Sequence, residues 1–179
     1  MGVEVDPQAA TAARSLSGCP VQVGHFLQLE LPENHFRLVT MHHVFEHVAN
    51  PVSVIERIAR ILKPGGRAVL VFPNPQSLGA KAYGVNWFPW EVPRHLVFPT
   101  RTALALMASH ASLELSASTL TRAASGYASQ SRAYARGEPV LSAQRNTVTR
   151  LFEAAELTLC TFGAHLGEET VAVLTKSGG

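Results

Sequence analysis

This chain of 179 residues has few cysteines, few lysines, little charge and no long apolar run. Cys19 and Cys160 stand far apart and fit no CxxC spacing, so neither a disulfide framework nor a zinc ribbon is expected. Lys63, Lys81 and Lys176 are the only lysines, arginine carrying the rest of the positive charge. The formal net charge of +2 gives no field suited to nucleic acid or an anionic membrane. No stretch approaches the ~18 apolar residues that cross a bilayer. The start, Met1 to Pro7, lacks a basic segment followed by a hydrophobic one, so no secretory leader is expected. These absences predict a reduced cytoplasmic protein with neither a nucleic-acid nor a membrane partner.

What is present is ordinary for a globular domain: 46% hydrophobic and 16% charged residues, enough chain for one core. Apolar runs alternate with helix-period segments, which predicts an α/β sheet with crossover helices. A short strand at Gly2–Val5 precedes a helix from Pro7 through Ser17, ended by Gly18; Val21–Val23 and Phe36–Met41 are the next strands. Asn50 caps a helix opened by Pro51, on which Ile55, Ile58 and Leu62 recur on one face. Lys63-Pro64-Gly65-Gly66 stops that helix and turns the chain into a buried strand, Arg67–Phe72. Residues 76–99 form a long aromatic loop, expected to be a lid or substrate wall. Thr100 caps a helix to about His110, Leu113–Leu120 is a strand, residues 122–166 are a helical insertion, and Glu168–Lys176 is the last strand.

Five segments in order, GVEVDP, FRLVTMHHVFEHVANP, RILKPGGRAVLVFPNPQS, NWFPWEVPRHLVFPT and ETVAVLTK, resemble the class I S-adenosylmethionine-dependent methyltransferases, in particular the UbiG-like small-molecule enzymes. The resemblance implies a Rossmann-like sheet with helices on both faces, S-adenosylmethionine as cofactor, and methyl transfer to a small molecule. It implies that Glu4, at a strand's carboxyl end, accepts the ribose hydroxyls, while Asp6 caps the following helix. His25 and Phe26 fall where relatives meet adenine, with His25 replacing the usual acid. Met41 and His42 end the central strand beside the cofactor's methionine part. His43 and His47 are the candidate proton acceptors. Trp87, Trp90, Arg94 and His95 are the candidate substrate contacts, Arg94 offering a forked donor or else pairing with Glu91.

The chain departs from that pattern in several places. Some quinone-type relatives hold a divalent metal at the positions of His43, Glu46 and His47; with His43 in place of the first acid, scaffold and substrate roles are preferred and no metal is expected. His43 to His47 also spells H-x-x-E-H, the inverted zinc-peptidase motif, which needs one continuous helix where the sequence places a strand end. The largest departure is the lack of a glycine-rich turn and of the strand before it. In the resembled fold, with strand order three-two-one-four-five-seven-six, that strand sits between those at Gly2–Val5 and Phe36–Met41. Three outcomes are open: a start lying upstream, completion by a partner chain as in a homodimer, or direct closure of the two flanking strands. A non-catalytic, methyltransferase-derived chain is the alternative function.

Overall fold

The computed structural model describes residues 1–120, 126–163 and 165–178. Strand β1 (Gly2–Glu4) leads into helix α1 (Pro7–Ser17), and β2 (Val21–Val23) returns parallel to β1. The helix forms where expected: the Asp6 side chain accepts the Ala9 N–H at 2.7 Å, and Gly18 closes the other end at φ 67°.

A second sheet holds β3 (Phe36–His42), β4 (Leu62–Pro73), β5 (Leu113–Leu120) and β6 (Glu169–Lys176) in the order β3-β4-β6-β5. The β3–β4 pair is parallel, and β6 runs antiparallel to both β4 and β5. β4 lies inside the sheet because Ala68, Leu70, Val71 and Phe72 of its apolar run are buried, with strands on both edges. Helix α2 (Pro51–Ile61) presents Val54, Ile55 and Ile58 to this sheet, and α4 (Arg101–His110) adds Leu104 and Ala108 to the same core. Helix α3 (Leu78–Tyr83) packs with α5 (Tyr127–Ala135), which in turn packs with α6 (Thr147–Thr161). Among the described residues no helix is long and apolar enough to cross a membrane.

Two expectations need correction. Lys63–Gly66 does more than stop a helix. Leu62 already pairs with Phe36, then the register breaks and Leu38 pairs with Arg67, so these residues form an irregular insertion within β4. Residues 76–99 are also less loop-like than expected: they contain α3 and two short 3-10 turns, Gly84–Asn86 and Phe88–Trp90. The start of the expected 122–166 insertion lies outside the described residues. Lys176 has a role the sequence did not suggest. Its Nζ donates to the Ala59 and Leu62 carbonyls at 2.7 and 3.0 Å, neutralising the end of α2.

The two glycines of the insertion differ physically. A Cβ on Gly66 would stand 2.8 Å from the Lys63 carbonyl oxygen and 2.9 Å from that of Phe36, both fixed backbone atoms. A Cβ on Gly65 meets nothing within 4 Å but sits at φ 73°. Gly66→Ala is expected to cost about 1–3 kcal/mol, as in an overpacked core, and Gly65→Ala about 1 kcal/mol of backbone strain. Urea unfolding of the two variants checks this; Gly65→Ala being the worse would show that the insertion yields around residue 66.

The sheets do not merge. β1 pairs with β2 and β3 pairs with β4, while β1 and β3 do not pair with each other. Direct closure of the flanking strands, one of the three outcomes open from sequence, is not what the chain adopts. A cleft of about 310 Å³ lies between them, lined by Gly2 and Val3 on one side and Leu38 to Met41 on the other.

Candidate functional site

The carboxyl ends of β1, β2 and β3 carry the predicted cofactor residues and lead into the predicted histidines. Glu4 is half-buried at the end of β1, where one carboxylate oxygen accepts the Asp6 N–H at 3.0 Å. His25 is exposed on the turn after β2, its Nδ1 receiving the Leu27 N–H at 3.3 Å, and Phe26 turns toward the cleft. Met41 is buried in the main core and also lines the cleft, whereas His42 is exposed.

His43 follows β3 in a left-handed conformation, φ 52°, uncommon for a residue with a Cβ. Its Nδ1 lies 3.0 Å from Glu46 Oε1 and its Nε2 2.9 Å from Glu169 Oε1. Both acids are buried, and the second Glu46 oxygen has no hydrogen-bond partner. The antiparallel β4–β6 pairing explains the long-range contact, because it sets Glu169 opposite Pro73 at the edge where β3 ends. With each ring nitrogen on a carboxylate oxygen, His43 bridges two acids and has no lone pair directed outward. Glu169 was not singled out from sequence; the signal was a pair of acids, Glu168-Glu169, opening an otherwise apolar strand.

His47 ends a 3-10 turn, Phe45–His47, so the continuous helix that a peptidase motif requires does not form. Its Nδ1 lies 2.9 Å from the Arg94 carbonyl oxygen, to which it can only donate. The Nε2 atom is the ring nitrogen left for other partners on this exposed side chain. The Leu96 and Val97 N–H groups donate to the Glu46 carbonyl, which docks the 93–97 segment on this turn. His95 is consequently buried, its Nδ1 2.6 Å from the Pro89 carbonyl and its ring edge-on to His47 at 4.7 Å between centroids. Ligand-type atoms of Glu46, His47 and His95 lie within 4.8 Å of one another, which makes these residues the ones placed to hold a metal among those described.

Arg94 is exposed and paired with the Glu91 carboxylate, and Glu91 lines the second cleft. Trp87 and Trp90 meet edge-to-face at 5.0 Å and, with Phe88, Val92 and Tyr134, wall a second cleft of about 430 Å³. Phe88 N–H donates to the buried Ser131 hydroxyl at 2.8 Å, tying this wall to α5. Nearby, burial pushes the Tyr83 hydroxyl above its ordinary range, so it stays a neutral donor through physiological pH. The structure thus brings His43, His47 and His95 together around Glu46, and sets Glu4 and Phe26 apart from them near the first cleft.

Residues 1–70 match the methyltransferase domain family. The chain is 30% identical over 118 residues to the ubiquinone biosynthesis O-methyltransferase of Aeromonas salmonicida, covering 63% of this chain and 44% of that protein. An uncharacterized methyltransferase of Schizosaccharomyces pombe is 33% identical over 51 residues, 28% of this chain and 18% of that one. The chain therefore spans less than half the length of these curated relatives. Among solved structures, a Thermotoga maritima S-adenosylmethionine-dependent methyltransferase, described as a possible histamine N-methyltransferase, superposes with a TM-score of 0.64 at 18% identity. That match covers 99% of this chain and 73% of the other. The [4+2]-cyclase SpnF superposes at 0.62 with 20% identity, over 99% and 66% of the two chains. Residues 1–70 thus resemble the methyltransferase domain family, and the fold is the Rossmann-like α/β arrangement of the solved S-adenosylmethionine-dependent methyltransferases.

Proposed function

We propose that this chain binds S-adenosylmethionine across the ends of β1 and β3 and serves methyl transfer to a small molecule. The observation that carries the reading is Glu4. A half-buried carboxylate at a strand's carboxyl end spends one oxygen on the Asp6 N–H and keeps the other for hydroxyl donors. The neighbouring residues fit the group: Phe26 offers an apolar face for adenine, and Met41 and His42 end the adjacent strand. The cofactor supplies a methyl on a sulfonium, an already activated electrophile, so the protein's work is placement of the two reactants.

The chain's own residues then divide the remaining tasks. His47 Nε2 takes a proton from an acceptor hydroxyl or amine, its tautomer held by the Arg94 carbonyl. His43, bridging Glu46 and Glu169, fixes the turn that carries His47. Trp87 and Trp90, within a lid spanning residues 76–99, wall an apolar acceptor. Arg94 closes that lid through Glu91, and His95 packs under it. The fit suits a soluble cytoplasmic enzyme of small molecules, though the open cleft beside β1 favours a second reading in which the chain binds cofactor without turnover.

Calorimetry with S-adenosylmethionine, followed by transfer of labelled methyl to a panel of phenols, catechols and aromatic amines, tests both readings. Saturable binding with transfer is expected. Binding without transfer supports the second reading, and the absence of binding defeats both.

A further inference from the structure

We propose that the second cleft, walled by Trp87, Trp90 and Tyr134, binds the ammonium group of a small organic cation with an apolar body. This names the class of acceptor and so rests on the methyl-transfer reading, but the binding it requires is measured without cofactor.

Local geometry builds the aromatic walls. Trp87 precedes and Trp90 ends the 3-10 turn Phe88–Trp90, and their rings stand at 83° to one another, which makes a corner. Trp90 meets Phe98 edge-on at 4.7 Å, so a further ring backs that corner. The Phe88 N–H is held by the Ser131 hydroxyl on α5, and Tyr134 lies three residues further along the same helix. Residues so spaced are neighbours on a helix surface. α5 thereby brings the Tyr134 side chain, 56% exposed, to the cleft beside the two indoles.

The polar inventory selects a cation. Trp90 Nε1 donates to the Gly84 carbonyl at 2.8 Å, and Trp87 Nε1 is buried against Gly79 of α3. The indoles therefore give the cleft ring carbon rather than N–H donors, and aromatic faces carry the negative side of the ring quadrupole. Among the described residues that line the cleft Glu91 alone is charged, the others being aromatic or valine. One Glu91 oxygen carries the Arg94 guanidinium. The other, Oε2, stands 3.5 Å from His95 Nε2, beyond the usual N–H···O range of about 2.7–3.2 Å. An anion would meet a carboxylate here and find no side-chain donor but the Tyr134 hydroxyl. A neutral molecule would fill the volume and leave Oε2 unmatched. An ammonium group answers both the carboxylate and the ring faces, and about 430 Å³ leaves room beside it for an apolar body against the valines.

The test is calorimetry on the whole chain without S-adenosylmethionine, using choline and its neutral isostere, in which a tert-butyl group replaces trimethylammonium. Choline is expected to bind about tenfold tighter than the isostere, and benzyltrimethylammonium, which adds an apolar body, tighter than choline. Glu91→Gln should weaken choline binding about threefold or more and leave the isostere unchanged. Tyr134→Leu removes a ring at an exposed position while keeping apolar bulk, and should act in the same way. It decides the matter if Glu91→Gln fails to fold. Equal binding of choline and isostere would overturn the proposal in favour of a plain apolar cleft and leave the methyl-transfer reading intact. A parallel loss of both probes in the variants would also overturn it, the two residues then only shaping the wall. No binding of either cation at millimolar concentration would overturn it outright. Preference for choline, with no methyl transfer to any amine or phenol, would support the proposal while defeating the methyl-transfer reading.

Discussion

Replacing His43 by alanine is expected to lower the unfolding free energy by about 3–5 kcal/mol, the cost of stranding buried charge. Its imidazole sits within 3.0 Å of Glu46 Oε1 and 2.9 Å of Glu169 Oε1, and the two acid side chains are each 1% exposed. Without the ring, two buried carboxylates lose the group between them, and one of the Glu46 oxygens already has no hydrogen-bond partner. Both lose the ring that joins them, which disturbs the turn after β3 and the start of β6. The left-handed backbone at residue 43 adds a smaller cost that asparagine would avoid. A double-mutant cycle separates the two contributions. In a Glu46→Gln/Glu169→Gln background, His43→Ala should cost about 1 kcal/mol, because no charge is left behind. Equal losses in the two backgrounds, read from urea denaturation, would mean that the bridge contributes nothing and that His43 acts only through its backbone.

The legibility of this molecule from sequence follows a physical divide. Local signals were sufficient wherever capping and periodicity settle the structure. Asp6, Asn50 and Thr100 each cap the helix they were expected to cap, and Leu113–Leu120 is the strand its pattern implied. The Lys63–Gly66 insertion was misjudged because pairing of Leu62 with Phe36 is a long-range event, invisible in a KPGG string that reads as a turn. The site was half legible for the same reason. His43, Glu46 and His47 stand out as a motif, but their meaning depends on Glu169, more than a hundred residues away, arriving by an antiparallel pairing. Arg94 was open between a substrate contact and an internal pair, and the pair with Glu91 is a local i,i+3 geometry set by the turn after Trp90. The expectation of a gap beside β1 came from strand order rather than from any residue, and the split into two sheets gives it physical form.

Binding and chemistry should separate cleanly between Glu4 and His47. Glu4→Gln keeps a carbonyl oxygen for the Asp6 N–H, so β1 and α1 are expected to fold unchanged. What it loses is the second acceptor, replaced by an amide donor that faces hydroxyl hydrogens. A hydrogen bond to a charged group contributes about 1.5–3 kcal/mol, so S-adenosylmethionine affinity should fall about 10- to 100-fold by calorimetry. His47→Gln should leave that affinity within about twofold and lower methyl transfer about 100-fold, the low end of general-base contributions. The glutamine can still donate to the Arg94 carbonyl but has no basic nitrogen, so the turn survives while the proton acceptor is gone. Equal affinity in wild type and Glu4→Gln would remove Glu4 from the cofactor site. Undiminished transfer by His47→Gln would move the proton acceptor elsewhere, or show that the acceptor atom needs none, as a thiolate or an already neutral amine would not.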